Sequence, residues 1–377
     1  MEYKLSELVT IKYGKNQSEV VDIDGKYPIL GTGGIIGYSN QYLYNKPSVL
    51  IGRKGSIKNV KYIDRPFWTI DTLFYTIINE NIVIPKYLFY KLSQSDLSTY
   101  NEGSAVPSLT TATLNQIKIE IPSLKEQKRI ADILTPLDNK IELNNQMNQT
   151  LEEIASLLYK RWFVDFEFPD DKGNPYKSSG GEMVDSELGM IPKGWEVKNL
   201  TEIAKFVNGL AMQKFRPQIS EESLPVLKIK ELISNSVSKS TERCKKNIKD
   251  EVKVFDGDII FSWSGTLAVK IWSAGEAGLN QHLFKVTSSI YPKWLYYLIV
   301  LYNLNNFKSI ASDKATTMGH INRSHLEKTY FTIPQIKIIN KEYTYMETII
   351  DKIIENKVNI KYLQETKEKV MLDLIQI

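Results

Sequence analysis

Apolar residues recur at helical spacing along two long stretches of the chain. In the first, residues 125–160, the apolar positions lie seven apart. This repeat predicts a long amphipathic helix that packs against another helix, as in a coiled coil. At ~1.5 Å per residue it would span on the order of 50 Å. Pro136 is expected to kink the helix or to split off its first two turns. We assign to its seam a main row of residues seven apart, which runs from Ile130 through Asn144 to Leu158. A companion row runs through Ile133, Met147 and Ile154. The principal seam residues are Ile130, Leu137, Leu151, Ile154 and Leu158.

The second stretch, residues 336–377, shows the same period. Each seam needs an apolar partner, and the simplest partner for each helix is the other one. Antiparallel pairing would place the two segments that precede the helices at opposite ends of the helix pair. Polar residues within the seams (Lys140, Asn144, Asn356 and Lys367) either set the register or mark positions where partner subunits pack. The outer helical faces suit such packing equally well. The seam residues assigned to the second helix are Met346, Ile353, Ile360, Leu363 and Val370.

The segments before each helix predict short strands, and the two segments resemble each other. Residues 48–51 and 69–78 carry the β-branched and aromatic side chains that suit a half-buried sheet. Tyr27-Pro28-Ile29-Leu30 returns as Leu224-Pro225-Val226-Leu227, and the offset between similar motifs drifts from 195 to 212 residues along the chain. This period is far too long for a solenoid, so each copy is predicted to be a folding domain.

The pattern divides the chain into five parts with an α+β fold and a pseudo-twofold internal repeat. They are a mixed domain (1–122), a helical region (123–163), a connector (164–190), a second mixed domain (191–335) and a second helical region (336–377). The connector is rich in Asp, Gly, Pro and Ser, so it is expected to be exposed.

Composition adds few constraints. The chain has 377 residues with a formal net charge of +4, which permits nucleic-acid binding without requiring it. A single cysteine, Cys244, excludes an internal disulfide framework and fits a reducing compartment. The first residues lack an apolar signal core, and the longest apolar run is far short of a membrane span. We therefore expect a cytoplasmic protein without membrane contact.

Basic and hydroxyl-bearing residues gather at corresponding turns of the two mixed domains. Such side chains bind phosphates and base edges, although a solvated turn is the alternative for any one of them. Trp263 would stack or wedge against DNA, or else pack internally. His282 lies in an apolar stretch and is expected to be a packed core residue. The candidate DNA-binding residues are Arg53, Lys54, Ser56, Lys58, Ser104, Ser108 and Thr110 in the first domain, and Ser262, Trp263, Ser264, Lys314, Thr316, Thr317, His320, Asn322 and Arg323 in the second.

Several motifs, in their order along nearly the whole chain, resemble the specificity subunit of type I restriction–modification systems. Residues 27–38, 49–56 and 67–72 look like signatures of its target-recognition domains. Residues 121–127, followed by Ile130, resemble the entry into its first conserved helix. The second recognition domain of the family opens on a motif similar to Gly189-Met190-Ile191-Pro192-Lys193-Gly194-Trp195.

This resemblance implies a fold of two target-recognition domains separated by two long conserved helices that form an antiparallel coiled coil. It also implies a non-catalytic subunit that reads a bipartite, asymmetric site on double-stranded DNA, one half-site per domain, with the helices acting as a spacer. Two methyltransferase subunits and, through the complex, restriction subunits would dock on it. S-adenosylmethionine, ATP and Mg²⁺ would be bound by those partners, and none by this chain.

Two other functions are compatible with parts of the sequence. The first alternative is a DNA methyltransferase or nuclease in its own right. The second is a coiled-coil scaffold with two protein-binding domains. Against the enzyme, Gly31, Gly33 and Gly37 do not match the dinucleotide fingerprint, and the three histidines lack zinc-ligand spacing to Cys, Asp or Glu. Asn174-Pro175-Tyr176 resembles a methyltransferase loop only in part, within a connector that has no cofactor motif.

Overall fold

The computed structural model describes residues 1–312 and 319–375. The chain folds into two compact units. The first combines Met1–Lys140 with Gln364–Ile377, and the second is Ile141–Leu363. Each long helix therefore contributes residues to both units. No helix in the described ranges is long and apolar enough to cross a membrane.

The first unit is built on short antiparallel strands with helices around them. Its elements are β1 (Glu2–Lys4), α1 (Leu5–Leu8), β2 (Val9–Tyr13), β3 (Tyr27–Gly31), β4 (Gly34–Ser39), β5 (Ser48–Gly52), β6 (Val60–Ile63), β7 (Trp68–Thr69), β8 (Leu73–Ile78), α2 (Pro85–Gln94), α3 (Thr111–Gln116), β9 (Lys118–Glu120) and the beginning of α4 (Leu124–Tyr159).

Three small sheets organise this unit. One has the order β2-β8-β5-β6, the second has the order β4-β3-β7 with β3 and β7 parallel, and β1 pairs with β9. All of β5 is buried, which explains why its sequence reads as a continuous apolar run. The hydroxyl of Ser48, at its start, donates to the backbone oxygen of Thr76 at 2.8 Å, so this buried polar group is paired.

The second unit holds the remaining elements. They are β10 (Met183–Ser186), β11 (Gly189–Pro192), β12 (Trp195–Asn199), α5 (Leu200–Ile203), β13 (Lys205–Asn208), β14 (Ser223–Leu227), α6 (Ile229–Ser234), β15 (Arg243–Lys245), β16 (Lys253–Val254), β17 (Ile259–Ser262), β18 (Ala268–Ile271), β19 (Ala277–Leu279), β20 (Leu283–Thr287), α7 (Lys293–Tyr302), α8 (Leu304–Ser312), α9 (Arg323–Glu327), β21 (Tyr330–Pro334), α10 (Ile336–Glu342) and α11 (Thr344–Ile375).

The strand order of the second unit repeats that of the first. The sheet β13-β20-β17-β18 corresponds to β2-β8-β5-β6, and the parallel pair β14 and β19 corresponds to β3 and β7. The duplicated mixed fold predicted from the sequence is confirmed.

Within the second unit the two long helices run antiparallel. Asn148 on α4 is hydrogen-bonded to Asn356 on α11, whereas Trp162, just beyond the end of α4, packs against Tyr345 near the start of α11. In the first unit, Met371 and Ile375 of α11 join the same apolar core as Ile130 of α4. The predicted helix pairing is therefore present in each unit.

The seam of α4 differs from our assignment in its companion row. Ile154 is 41% exposed, and Ile133 and Met147 are similarly exposed, so placing this row in the seam was wrong. The buried companions are Leu134, Asn148 and Ala155, four residues after the main row instead of three. Both rows border the main row on a helix, and the partner that packs against α4 decides which one is buried. Of the other assigned residues, Ile130, Met346 and Ile353 are buried, and the half-buried ones are Leu137, Leu151, Leu158, Ile360, Leu363 and Val370.

The structure answers two further expectations. Of the two alternatives for Pro136, splitting off the first turns is excluded, because α4 continues through the proline. Pro136 lies on an exposed face, where water can bond the carbonyl that loses its partner. The connector is not exposed throughout, because Phe168 stacks on Tyr176 at 4.5 Å and on Trp195 at 5.1 Å between ring centroids.

Candidate nucleic-acid interface

In the first unit, the turn after β5 lies against the loop before α3. Arg53 accepts a backbone hydrogen bond from the N–H of Leu109 at 2.9 Å. Lys54 forms a β-bridge with Ser108, and the N–H of Gly55 donates to the oxygen of Pro107 at 2.8 Å. The structure thus brings Ser108 to Arg53 and Lys54, which precede it by more than 50 residues in sequence.

Two glycines allow this turn to form. A Cβ atom on Gly52 would lie 2.4 Å from the backbone oxygen of Ser56, so any side chain there would force the backbone to shift. Gly55 has a φ of +77°, the left-handed region that glycine enters without strain. The turn therefore presents its neighbouring side chains, Arg53 and Lys54, from a closely packed backbone.

Hydrogen bonds within the loop before α3 engage some of the predicted residues. The Oδ1 atom of Asn101 accepts from the N–H groups of Gly103 at 3.0 Å and Ser108 at 2.8 Å. Thr110 caps α3 by accepting from the N–H of Thr113, and its hydroxyl donates to Glu102. Thr110 therefore has a structural role in the free protein, whereas Ser56 and Ser104 are exposed.

The basic residues of this surface differ in how firmly they are held. Arg53 is half-buried, with its Cζ atom 5.1 Å from the Tyr13 ring centroid and its Nη1 donating to the oxygen of Asp71 at 2.9 Å. Lys54 is exposed. Lys58 makes a surface ion pair with Asp96 at 3.4 Å, and exposed pairs of this kind contribute little to stability.

The second unit repeats this backbone arrangement with other side chains. Ser264 forms a β-bridge with His320, and the N–H of Ile321 donates to the oxygen of Trp263 at 2.8 Å. Trp263 therefore occupies the position of Arg53, Ser264 that of Lys54, and His320 that of Ser108. Asn322 caps α9 as Thr110 caps α3.

Trp263 is packed among neighbouring rings. Its ring centroid lies 5.7 Å from that of Phe284, 6.0 Å from that of His282 and 6.2 Å from that of His320. Its Nε1 is buried and has no hydrogen-bond partner within the described part of the chain. Of the two alternatives for Trp263, the structure shows internal packing.

Three residues differ from their predicted environments. Ser262 is completely buried and donates to the oxygen of Ser264, so its prediction as a DNA contact is wrong. Ser264 is also buried, and its hydroxyl lies 3.0 Å from Nδ1 of His282. His282 is exposed at the turn before β20, so its placement in the core is wrong. Because β20 starts one residue later, its apolar pattern does not include His282.

The remaining predicted residues of the second domain fall into two groups. His320, Asn322 and Arg323 are exposed, and Arg323 pairs with Glu327 of the same helix at 3.3 Å. Lys314, Thr316 and Thr317 lie outside the described residues. Sequence reasoning missed Tyr13, which the strand pattern of β2 places beside the turn once β2 pairs with β8.

A second exposed surface lies on α4. Four apolar side chains with helical spacing, which we call the α4 stripe, face solvent: Leu143, Met147, Ile154 and Leu157, with exposed fractions of 50%, 36%, 41% and 67%. They fall within one narrow face of the helix, which also carries the exposed Thr150, and exposed apolar side chains grouped on one face typically mark an interaction site. Within residues 1–312 and 319–375 no cluster of His, Cys, Asp or Glu is suited to hold a metal ion.

The fold and the paired turns define a protein with two homologous mixed domains and a pair of long helices. The family model for the type I restriction modification DNA specificity domain matches residues 1–153 and 192–362. The chain therefore belongs to the family of specificity subunits of type I restriction–modification systems.

Similar proteins carry the same description. The type I restriction enzyme MjaIX specificity subunit of Methanocaldococcus jannaschii is 28% identical over 349 residues, covering 88% of this chain and 78% of that protein. The HindI specificity subunit of Haemophilus influenzae is 24% identical, covering 82% and 80%. The crystal structure of a type I restriction–modification S subunit from M. genitalium superposes with a TM-score of 0.60 at 14% identity, covering 99% of this chain and 95% of that one, so it shares the fold.

Proposed function

We propose that this specificity subunit reads a bipartite, asymmetric site on double-stranded DNA, with one half-site bound by each recognition domain. The observation that carries the proposal is the repeated backbone arrangement at the two turns. Lys54 pairs with Ser108 in one domain as Ser264 pairs with His320 in the other. Since the same framework presents different side chains, the two domains would bind the duplex alike and read different bases.

The side chains on the two frameworks favour different contacts. The first turn presents a guanidinium and an exposed ammonium group, from Arg53 and Lys54. The second presents exposed imidazoles, from His282 and His320, around a packed indole. Different donor and acceptor patterns select different base pairs in the major groove, and this difference supports an asymmetric site.

The helices would hold the two domains at a fixed spacing and dock the partner subunits. The α4 stripe supports such docking, because its four apolar side chains are exposed on one face of α4. Two methyltransferase subunits would bind the helical regions, and restriction subunits would join through the assembled complex. The chain itself would be non-catalytic, with S-adenosylmethionine, ATP and Mg²⁺ bound by its partners.

Methylome sequencing tests the proposal. A host that expresses this subunit together with its cognate methyltransferase is expected to carry a modified motif with two specified halves and an unspecified gap. A continuous motif would contradict the assignment of one half-site to each domain. A chimaera that carries residues 1–122 of a related subunit should change only one half of the motif.

Two assays separate the proposal from the other functions. Methyl transfer by the isolated chain, with S-adenosylmethionine and no partner, would show an enzyme in its own right. DNA binding by the complex should weaken as salt rises, since phosphate contacts release counterions. Binding that is absent, or that does not depend on salt, would favour a protein-binding scaffold.

A further inference from the structure

Arg53 is held in a defined orientation by two uncharged groups among the described residues. The Tyr13 ring attracts the guanidinium through its quadrupole, at 5.1 Å from Cζ to the ring centroid. The backbone oxygen of Asp71 accepts one of the guanidinium's five N–H donors, at 2.9 Å from Nη1. Both of these partners are uncharged groups, so the cation keeps its net charge and most of its donors.

The backbone that carries Arg53 is fixed on both sides. Its N–H donates to the oxygen of Thr72 at 2.8 Å, and its oxygen accepts from the N–H of Leu109 at 2.9 Å. The preceding Gly52 is enclosed by the backbone of residues 56 and 57. Main-chain and side-chain contacts together restrict the guanidinium before any ligand binds.

A restricted guanidinium suits a base edge better than a phosphate. Arginine donates two parallel hydrogen bonds to O6 and N7 of guanine in the major groove, and this pair has a demanding geometry. A group that is oriented in advance loses less conformational entropy when it makes such a contact. Phosphates, by contrast, accept a mobile point charge in many geometries, and the exposed Lys54 beside Arg53 provides one.

We infer that Arg53 reads a guanine in the half-site bound by the first domain, with Tyr13 as its platform and Lys54 as a phosphate contact. The second domain lacks this contact, because Trp263 occupies the corresponding position and packs against Phe284. The inference deepens the proposed function and depends on it.

The test uses the complex of the full chain with its methyltransferase, on duplexes that carry the mapped motif with every base replaced in turn. Arg53→Ala is expected to weaken binding to the motif about 10- to 100-fold and to abolish discrimination at one guanine. Arg53→Lys should weaken this discrimination, because a flexible ammonium group lacks the planar fork that donates two parallel hydrogen bonds. Replacing that guanine by 7-deazaguanine should weaken the wild-type complex and leave Arg53→Ala unaffected.

Lys54→Ala is the matched control on the same turn. It should weaken binding equally on all sequences and lower the slope of log K against log salt by about 1. Recognition of the second half-site serves as an internal control for folding, and it should persist in every variant. Tyr13→Leu should reduce discrimination at the same guanine without removing it.

Several outcomes would overturn the inference. One is a first half-site without guanine. Another is an Arg53→Ala variant that binds all sequences more weakly to the same extent, as a phosphate contact would. Failure of the proposed function is distinguishable, since the wild-type complex would then show no sequence preference in either half.

Discussion

Asn356 donates a hydrogen bond from Nδ2 to Oδ1 of Asn148 at 3.0 Å, inside the buried seam of the second unit. Asn144, which lies 212 residues before Asn356 and corresponds to it in the internal repeat, is equally buried. Its Nδ2 has no hydrogen-bond partner among the described residues. The residue that corresponds to Asn148 is Ile360, so the repeat does not supply a second amide. Asn356 and Asn144 therefore contribute differently to stability, although they occupy corresponding positions of the repeat.

Opposite effects on stability are expected for these asparagines. Asn356→Leu should lower the free energy of unfolding by ~1–3 kcal/mol, because it leaves the Asn148 amide buried without a partner. Asn144→Leu should leave the stability unchanged or raise it, because it removes an unpaired polar group. Urea unfolding of the full chain measures both. Equal destabilisation by the two substitutions would show that Asn144 is paired in solution.

Substitution of Gly52 should disturb the first turn. Gly52→Ala places a Cβ 2.4 Å from the oxygen of Ser56, and relief of this contact is expected to cost ~1–3 kcal/mol of stability. The control is Gly33→Ala, since a Cβ on Gly33 meets nothing within 4 Å. Thermal unfolding of both variants, together with binding to DNA altered in each half-site, checks the prediction. It fails if Gly52→Ala is as stable as Gly33→Ala.

Alkaline pH should destabilise both units through buried tyrosines. Burial, together with the Glu126 carboxylate, raises the pKa of Tyr87 to about 12. Burial and Asp258 raise the pKa of Tyr296 to about 12. An unfolded tyrosine ionises near pH 10, so the neutral side chains contribute their full stability below about pH 10 and lose it progressively up to about pH 12.

The measurement is the urea midpoint at a series of pH values from neutral to strongly alkaline. In the wild type the midpoint should fall steeply above about pH 10. Replacing Tyr87 and Tyr296 by Phe should make this fall shallower. An identical pH profile in the doubly substituted chain would show that other groups cause the alkaline loss.

Polar substitutions on the α4 stripe should weaken assembly without unfolding the chain. Leu157 is 67% exposed, so Leu157→Ser removes little buried surface from the free subunit. If the methyltransferase covers this face, the substitution should weaken its binding about tenfold or more. Gln149→Ser, on an exposed position outside the stripe, is the control. Titration calorimetry with the methyltransferase compares the two variants, and equal affinities would place the docking surface elsewhere.

The repeat in the sequence was a reliable guide to the fold, because apolar periodicity reports which face of an element is buried. Periodicity predicted both long helices, and the short buried run at β5 reappears at β17. It was less reliable where two rows border the same stripe. Ile154 and Ala155 are equally plausible from spacing alone, and only the packing of the folded second unit buries Ala155.

The candidate interface was predictable in position and less so in detail. Basic and hydroxyl-bearing residues at corresponding positions of the repeat placed the turns near 53 and 263, and the structure joins each turn to a distant loop. Burial of Ser262, exposure of His282 and the platform formed by Tyr13 depend on strand pairing. A side chain's exposure at a strand end is set by the neighbouring strand, which local sequence does not specify.

The sequence by itself determined the duplicated architecture, the helical periods and the location of the divergent turns, because these follow from local spacing and from comparison of the two halves. The tertiary structure decided which apolar row is buried, which asparagine has a partner, and how Arg53 is held between Tyr13 and Asp71. These features arise from contacts between residues far apart in the chain, whose energies depend on three-dimensional packing.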